Sequence, residues 1–161
     1  MVRMGEYAFS AGAGEVLVSL GLGSCIGLAL LDRRASVAGL AHVVLPAADG
    51  RRGAPGKFAD TAVPALLDAV VELGARRTRL DAVLVGGASM FSFGGPGLDV
   101  GQRNDAAVRE ELARRRIRVA AAETGGSKGR TVRVDVQSGV VTSKVAGDAA
   151  VELYPRALVT A

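Results

Sequence analysis

The chain contains one cysteine, Cys25, and one histidine, His42, and both lie in apolar stretches. Cys25 directly follows the glycine-interrupted stretch at residues 19–24. A thiol and an imidazole can carry out thiolate chemistry, because the thiolate is the nucleophile and the imidazole can accept its proton. An adjacent imidazolium would also lower the pKa of the thiol. The pair therefore indicates a nucleophilic site, provided that the fold brings the two side chains together.

The sequence around the pair predicts a β-hairpin. Two apolar runs, at residues 25–31 and 37–45, flank a short polar turn. With the turn centred on the two arginines at 33–34, Cys25 lies directly opposite His42, where Cβ atoms on one face are about 4.5–5.5 Å apart. A slip of the register by one residue would place the two side chains on opposite faces.

Both residues also have an ordinary structural interpretation. A lone cysteine is commonly a small buried hydrophobic residue. A lone histidine in an apolar run is commonly a hydrogen-bonded core residue. On residue chemistry alone, a purely structural role for Cys25 and His42 stays open beside the nucleophilic one.

Six short motifs, in the same order along the chain, resemble those of the chemoreceptor glutamine deamidase family, CheD. They are S-L-G-L-G-S-C at 19–25, G-L-A-H-V-V-L-P at 39–46, K-F-A-D at 57–60, G-G-A-S-M-F at 86–91, V-G-Q-R-N at 100–104 and E-T-G-G at 123–126. The resemblance extends from about Gly5 to Val145. It departs from the family at one point, because the family usually has threonine where this chain has Ser19.

The resemblance implies a protein-glutamine deamidase that converts glutamines of cytoplasmic chemoreceptor helices to glutamate and releases ammonia. It implies Cys25 as the nucleophile, His42 as the proton acceptor and donor, and Ser19 as the hydroxyl that orients the imidazole. Backbone N–H groups of the turn at Gly23, Ser24 and Cys25 are candidates to hold the oxyanion. This chemistry needs no metal and no organic cofactor.

The later motifs are expected to contribute substrate or partner contacts. The residues concerned are Gly86, Gly87, Ser89, Met90, Phe91, Arg103 and Asn104. The resemblance also implies a regulatory phosphatase partner, CheC. It therefore leaves an alternative function, a weakly active or inactive binding module that docks a CheC-like partner. A third alternative is a general thiol hydrolase or esterase acting on small molecules.

Composition limits the class of protein. The 161 residues are 49% hydrophobic and 22% charged, which predicts one globular domain over residues 1–161, and the single cysteine excludes an internal disulfide framework. The net charge is +4, but the chain has no nucleic-acid-binding motif and only 4% aromatic residues for base stacking, so no nucleic-acid partner is expected. No apolar run reaches the roughly 18 residues of a membrane span. We expect a cytosolic protein.

The hydrophobic pattern predicts more strands than helices. Besides the hairpin, strands are predicted at residues 15–20, 80–85, 117–122, 131–136 and 140–145, and helices at 60–73 and 103–116. Asp60 is predicted to cap the first helix. Residues 86–101 are predicted as a long loop of functional interest. Hairpins mixed with helical crossovers predict an α/β (α+β) sandwich, with mixed β-sheets packed together and helices on the outside.

Overall fold

A computed structural model describes residues 1–90 and 99–155. The strands and helices, in chain order, are β1 Tyr7–Ser10, β2 Val16–Leu22, β3 Ile26–Asp32, β4 Val37–Val43, α1 Ala59–Glu72, β5 Asp81–Gly86, α2 Val100–Arg114, β6 Arg118–Thr124, β7 Arg130–Asp135, β8 Val141–Val145 and β9 Ala150–Tyr154. Short 3₁₀ helices lie at Pro55–Lys57 and Arg77–Arg79.

These strands form two sheets that pack face to face. The five-stranded sheet has the order β1-β4-β3-β5-β6, and the four-stranded sheet has the order β2-β7-β8-β9. The larger sheet is mixed, because β5 and β6 run parallel while its other neighbours run antiparallel. Helices α1 and α2 cover the outer face of the larger sheet. The predicted α+β sandwich is therefore confirmed.

The central strands β3 and β4 are buried along their whole length, because they are covered on both faces. Side chains alternate between the faces of a strand. Leu28 and Leu30 of β3 pack against the helices, whereas Ala29 and Leu31 pack against the smaller sheet. This two-sided burial explains why the sequence of β3 is a nearly continuous apolar run.

The predicted register of the β3–β4 hairpin is wrong by two residues. Gly27, not Cys25, lies opposite His42, because the turn between Asp32 and Val37 contains four residues. Its last residue, Ser36, adopts a left-handed conformation with φ of 51°. An even shift preserves the face of each side chain. Cys25 and His42 therefore still point to the same side of the sheet, in diagonal positions.

The helix caps also differ from the prediction. Helix α1 begins after Phe58 without a side-chain cap, and the Asp60 carboxylate instead accepts a hydrogen bond from the Ala48 N–H at 3.1 Å. Helix α2 begins at Val100, because Asp99 and Gln102 form a reciprocal capping box. The short edge strands β1 and β9 were not predicted.

In the described residues, neither helix combines the length and the apolar character required to cross a bilayer.

Candidate active site

Three polar groups lie in the layer between the two sheets. Cys25 immediately precedes β3 and belongs to the apolar cluster of that layer. His42 lies on the face of β4 that also carries Leu40, and Ser19 lies on the face of β2 that also carries Leu17, both in that cluster. All three polar side chains are buried. The candidate site is thus built from both sheets.

A hydrogen bond joins the sheets at this point. Ser19 Oγ lies 2.8 Å from His42 Nδ1 and 2.9 Å from the backbone carbonyl oxygen of Val2. The close approach of the sheets depends on Gly27, opposite His42, because a Cβ there would lie 2.8 Å from Leu22 Cδ1 of β2. A glycine at position 27 therefore lets Ser19 reach the imidazole.

The hydrogen bonds of Ser19 set the tautomer of His42. A hydroxyl has one hydrogen and a carbonyl can only accept, so Ser19 donates to Val2 and accepts from the imidazole. His42 then carries its hydrogen on Nδ1 and has a lone pair on Nε2. His42 Nε2 is buried and has no hydrogen-bond partner among the described residues. Such a nitrogen is an available base.

Burial controls the charge of both groups. It raises the pKa of the Cys25 thiol. It also lowers the pKa of His42, although the nearby backbone carbonyl of Val2 opposes this change. The predicted lowering of the thiol pKa by an imidazolium is therefore wrong for this state of the protein. The resting pair is a neutral thiol and a neutral imidazole.

The turn before Cys25 offers backbone donors. Gly21 has a φ of +67°, a conformation that favours glycine, and the Gly23 N–H donates to the Gly21 carbonyl at 3.0 Å. The N–H of Gly23 is therefore engaged. The N–H groups of Ser24 and Cys25 donate to no residue in the described part of the chain. These two remain as candidates to bind an oxyanion.

Gly86 and Gly87 contact the cysteine turn itself. The Gly87 N–H donates to the Cys25 carbonyl at 2.8 Å, and a Cβ on Gly86 would overlap that carbonyl oxygen. The Ala88 N–H donates to the Gly23 carbonyl at 2.8 Å. The structure therefore places these two glycines behind the turn, where they fix its backbone.

Asn104 also holds the turn before Cys25 in place. Its side chain is buried, and its Nδ2 donates to the carbonyls of Ser24 and Val44, both at 2.9 Å. Ser24 lies beside Cys25, and Val44 lies two residues after His42. One amide thus ties together the two segments that carry the thiol and the imidazole.

Arg130 is a buried residue of this region that the sequence interpretation missed. Its Nη1 donates to the carbonyls of Gly125 at 2.6 Å and Gly86 at 3.3 Å, and its Nε lies 3.7 Å from Glu123 Oε1. It therefore joins the E-T-G-G segment to the glycines behind the cysteine turn. The sequence signal for this role is the position of Arg130, immediately before the predicted strand at residues 131–136, in which apolar and polar residues alternate.

A surface cavity of about 350 Å³ opens beside Ser24, and its lining includes Ser89, Met90 and Arg103. A neighbouring cavity of about 550 Å³ shares Arg103 and extends towards Pro46. Three residues predicted to contact substrate or partner therefore surround an opening next to the cysteine turn. Phe91, predicted with them, lies outside the described residues.

A thiol, an imidazole and an orienting hydroxyl between packed sheets are the residue types used by thiol-dependent hydrolases. Comparison with known proteins is more specific. The family model described as CheD chemotactic sensory transduction matches residues 44–145. The chain belongs to the CheD family.

Curated relatives match nearly the whole chain. It is 44% identical over 151 residues to the probable chemoreceptor glutamine deamidase CheD of Symbiobacterium thermophilum, covering 91% of this chain and 92% of the relative. It is 40% identical over 154 residues to the chemoreceptor glutamine deamidase CheD of Thermotoga maritima, covering 95% and 96%. It is 43% identical over 155 residues to the probable enzyme of the same name from Pyrococcus abyssi, covering 94% of each chain.

Proposed function

We propose that this protein is a chemoreceptor glutamine deamidase that uses Cys25 as its nucleophile. The observation that carries the proposal is the hydrogen-bonded pair of Ser19 and His42. This pair holds Nε2, which has no hydrogen-bond partner in the described residues, on the same side of the sheet as Cys25. The names of the relatives supply the substrate class. Residues 1–161 act as one catalytic domain, in the cytoplasm.

In the first half of the reaction, His42 Nε2 removes the proton from the Cys25 thiol. The thiolate attacks the side-chain amide carbon of a receptor glutamine, and the N–H groups of Ser24 and Cys25 hold the oxyanion. Protonated His42 then donates this proton to the amide nitrogen. Ammonia leaves, and a thioester joins the receptor side chain to Cys25.

In the second half, water replaces ammonia at the site. His42 Nε2 removes a proton from the water, and the resulting hydroxide attacks the thioester carbonyl. The C–S bond breaks, the thiolate leaves and takes a proton from His42, and glutamate remains on the receptor. The free thiol and the neutral imidazole are regenerated, so the cycle needs no other reactant.

The neutral resting pair places a condition on this cycle. Proton transfer from Cys25 to His42 creates two charges in a buried layer, which is unfavourable until something stabilises them. A substrate amide that binds beside Ser24 would take over the negative charge of the thiolate as an oxyanion, which the N–H groups of Ser24 and Cys25 stabilise by hydrogen bonds. The proposal therefore couples formation of the thiolate to occupation of the site.

The test measures ammonia released from a purified cytoplasmic receptor fragment, together with mass spectrometry of its glutamine-containing peptides. The parent protein is expected to release ammonia and to convert specific glutamines to glutamate, and Cys25→Ala to do neither. A folded parent that binds the fragment but releases no ammonia would instead favour a binding module that docks a CheC-like partner. Turnover of small thioesters or esters without receptor deamidation would favour the general thiol hydrolase.

A further inference from the structure

The first residues of the chain cross the open edge of the sandwich next to the candidate site. We name residues 2–6 the strap. At one end the strap continues the pairing of β1 with β4, because the Glu6 carbonyl accepts from the His42 N–H at 3.0 Å. At the other end it lies along β2, because the Val2 N–H donates to the Val18 carbonyl at 2.7 Å. The strap therefore links the strand of His42 to the strand of Ser19.

The strap is held firmly in this position. The Val2 side chain is only 1% exposed and packs in the apolar cluster between the sheets. Gly5 turns the chain with a φ of +78°, and its N–H donates to the His42 carbonyl at 3.0 Å. The strap also packs closely on Gly56, where a Cβ would lie 2.6 Å from the Gly5 carbonyl oxygen.

In the described part of the chain, the strap supplies one hydrogen-bond acceptor to the polar side chains of the site. The Val2 carbonyl accepts the only hydrogen of the Ser19 hydroxyl at 2.9 Å. Without this acceptor, Ser19 could donate to His42 Nδ1, and the imidazole would then carry its hydrogen on Nε2. A protonated Nε2 on a neutral imidazole cannot accept the thiol proton.

We propose that the strap is a positioning element of the active site, whose Val2 carbonyl acts through Ser19 to keep His42 in the tautomer with a free Nε2. This inference rests on the proposed function for its consequence in catalysis. It assigns a role to a backbone group of the chain terminus that no catalytic motif contains. Displacement of the strap would leave Cys25, His42 and Ser19 in the chain but would lower the activity of the site.

The single histidine of the chain makes a direct test practical. In protein labelled with ¹⁵N-histidine, the imidazole nitrogen shifts at pH 7.5 report which nitrogen carries the hydrogen. The parent is expected to show Nδ1–H with an unprotonated Nε2. The opposite tautomer in the parent would overturn the inference, and this measurement requires no variant to fold.

Variants then connect the tautomer to catalysis. Val2→Asp should release the strap, because a carboxylate is costly in the apolar cluster, and should mix the tautomers and lower kcat/KM by about 10- to 100-fold, part of what a positioned base contributes. Val151→Asp makes the same change at a valine that is 58% exposed, and this control should leave the tautomer and kcat/KM unchanged.

A double-variant cycle separates positioning from general stability. In a Ser19→Ala background, Val2→Asp should cost little further activity, because the strap acts through the hydroxyl that is already absent. Losses that multiply would overturn the inference while the deamidase function stands. A parent that releases no ammonia would overturn the proposed function, yet the nitrogen shifts would still decide the role of the strap.

Discussion

The two ends of the β3–β4 hairpin both bury polar side chains, but they differ in how completely these groups are hydrogen-bonded. At the turn end, the buried Asp32 carboxylate accepts from the backbone N–H groups of Arg34 at 3.1 Å and Arg76 at 2.8 Å, and from the Arg79 guanidinium at 2.8 Å. At the open end, His42 Nε2 has no partner in the described residues. The fully hydrogen-bonded Asp32 carboxylate stabilises the fold, whereas the free His42 Nε2 is available for chemistry.

The charges at the two ends follow the same division. Burial alone would raise the pKa of Asp32, but the hydrogen bonds from Arg79 and from backbone N–H groups hold it below its usual range. At the open end, burial outweighs the opposing effect of the Val2 carbonyl on His42, and Cys25 and His42 stay neutral. A cleft of about 620 Å³ lies at the turn end and is lined largely by arginines, yet it contains neither the cysteine nor the histidine. The volume of a cavity therefore does not identify the candidate active site in this fold.

The largest expected effect is on activity at the open end. Cys25→Ala should lower deamidation by about 10³-fold or more, because no other thiol exists in the chain. It should change the free energy of unfolding by only about 1 kcal/mol, since the change is small and apolar. Ammonia release and thermal unfolding check the two parts. A large loss of stability would support the purely structural role of Cys25.

The matching change at the turn end should affect stability instead. Asp32→Ala leaves Arg79 and several N–H groups without their acceptor and should destabilise the protein by about 3–5 kcal/mol. The control Glu110→Ala breaks an exposed pair with Arg114 and should cost at most about 1 kcal/mol. Urea unfolding measures both. Folded Asp32→Ala protein should keep the parent kcat/KM. A loss of kcat/KM without a loss of stability would contradict the assignment of a structural role to the turn end.

Substitutions at Ser19 test the hydrogen bond between Ser19 and His42 that joins the two sheets. Ser19→Ala should lower kcat/KM by about 10- to 100-fold, less than Cys25→Ala, because an orienting hydroxyl supports only part of proton transfer. Ser19→Thr should keep or modestly raise activity, since threonine presents the same hydroxyl with a stiffer χ1. Ammonia release from one receptor fragment at one pH compares the three proteins. Parent-like activity of Ser19→Ala would mean that another group orients His42.

The cavity beside Ser24 should affect substrate binding more than the chemical step. Arg103→Ala should raise KM by about fivefold with little change in kcat, because an exposed charge contributes at most about 1 kcal/mol. Arg109→Ala, an exposed arginine of the same helix paired with Asp105, is the matched control and should change neither constant. Equal effects of the two variants would mean that the cavity beside Ser24 does not contribute to substrate binding.

The smallest effect is a pH dependence of stability. Because burial lowers the pKa of His42 in the folded state, the unfolded chain binds its proton first as the pH falls. The parent should therefore lose stability relative to His42→Asn as the pH falls below about 6.5, the ordinary pKa of histidine, and the difference should be constant above it. Urea unfolding of both proteins from pH 8 to pH 5 measures this difference. A parent that gains stability over this range would mean that His42 is charged when folded.

Much of this arrangement is readable in the sequence. The apolar runs of β3 and β4 predict the hairpin, and the motifs around Cys25 and His42 predict the residues of the candidate site. The register of β3 against β4 cannot be predicted in this way. Apolar runs do not show whether the turn contains two residues or four, nor that Ser36 adopts a left-handed conformation. The part played by Val2 has no side-chain signal at all, since it depends on a backbone carbonyl.

The missed contacts have the same physical origin. Asn104 and Arg130 bind carbonyl oxygens of segments distant in the chain, and such pairings become visible only when the sheets and α2 are assembled. An asparagine beside a helix start is ordinarily read as a cap or a surface residue. Local pattern therefore identifies the reacting groups better than it identifies the groups that hold them.

Burial of the Cys25 thiol also bears on how this protein withstands oxidants. Peroxides and disulfides react with thiolates, and a protonated thiol with little exposure reacts slowly with either. Cys25 is 7% exposed, and burial raises its pKa, so its thiolate population in the resting protein is small. An enzyme that forms its thiolate only when an amide occupies the site would keep its single cysteine reduced between turnovers, without a disulfide partner to protect it.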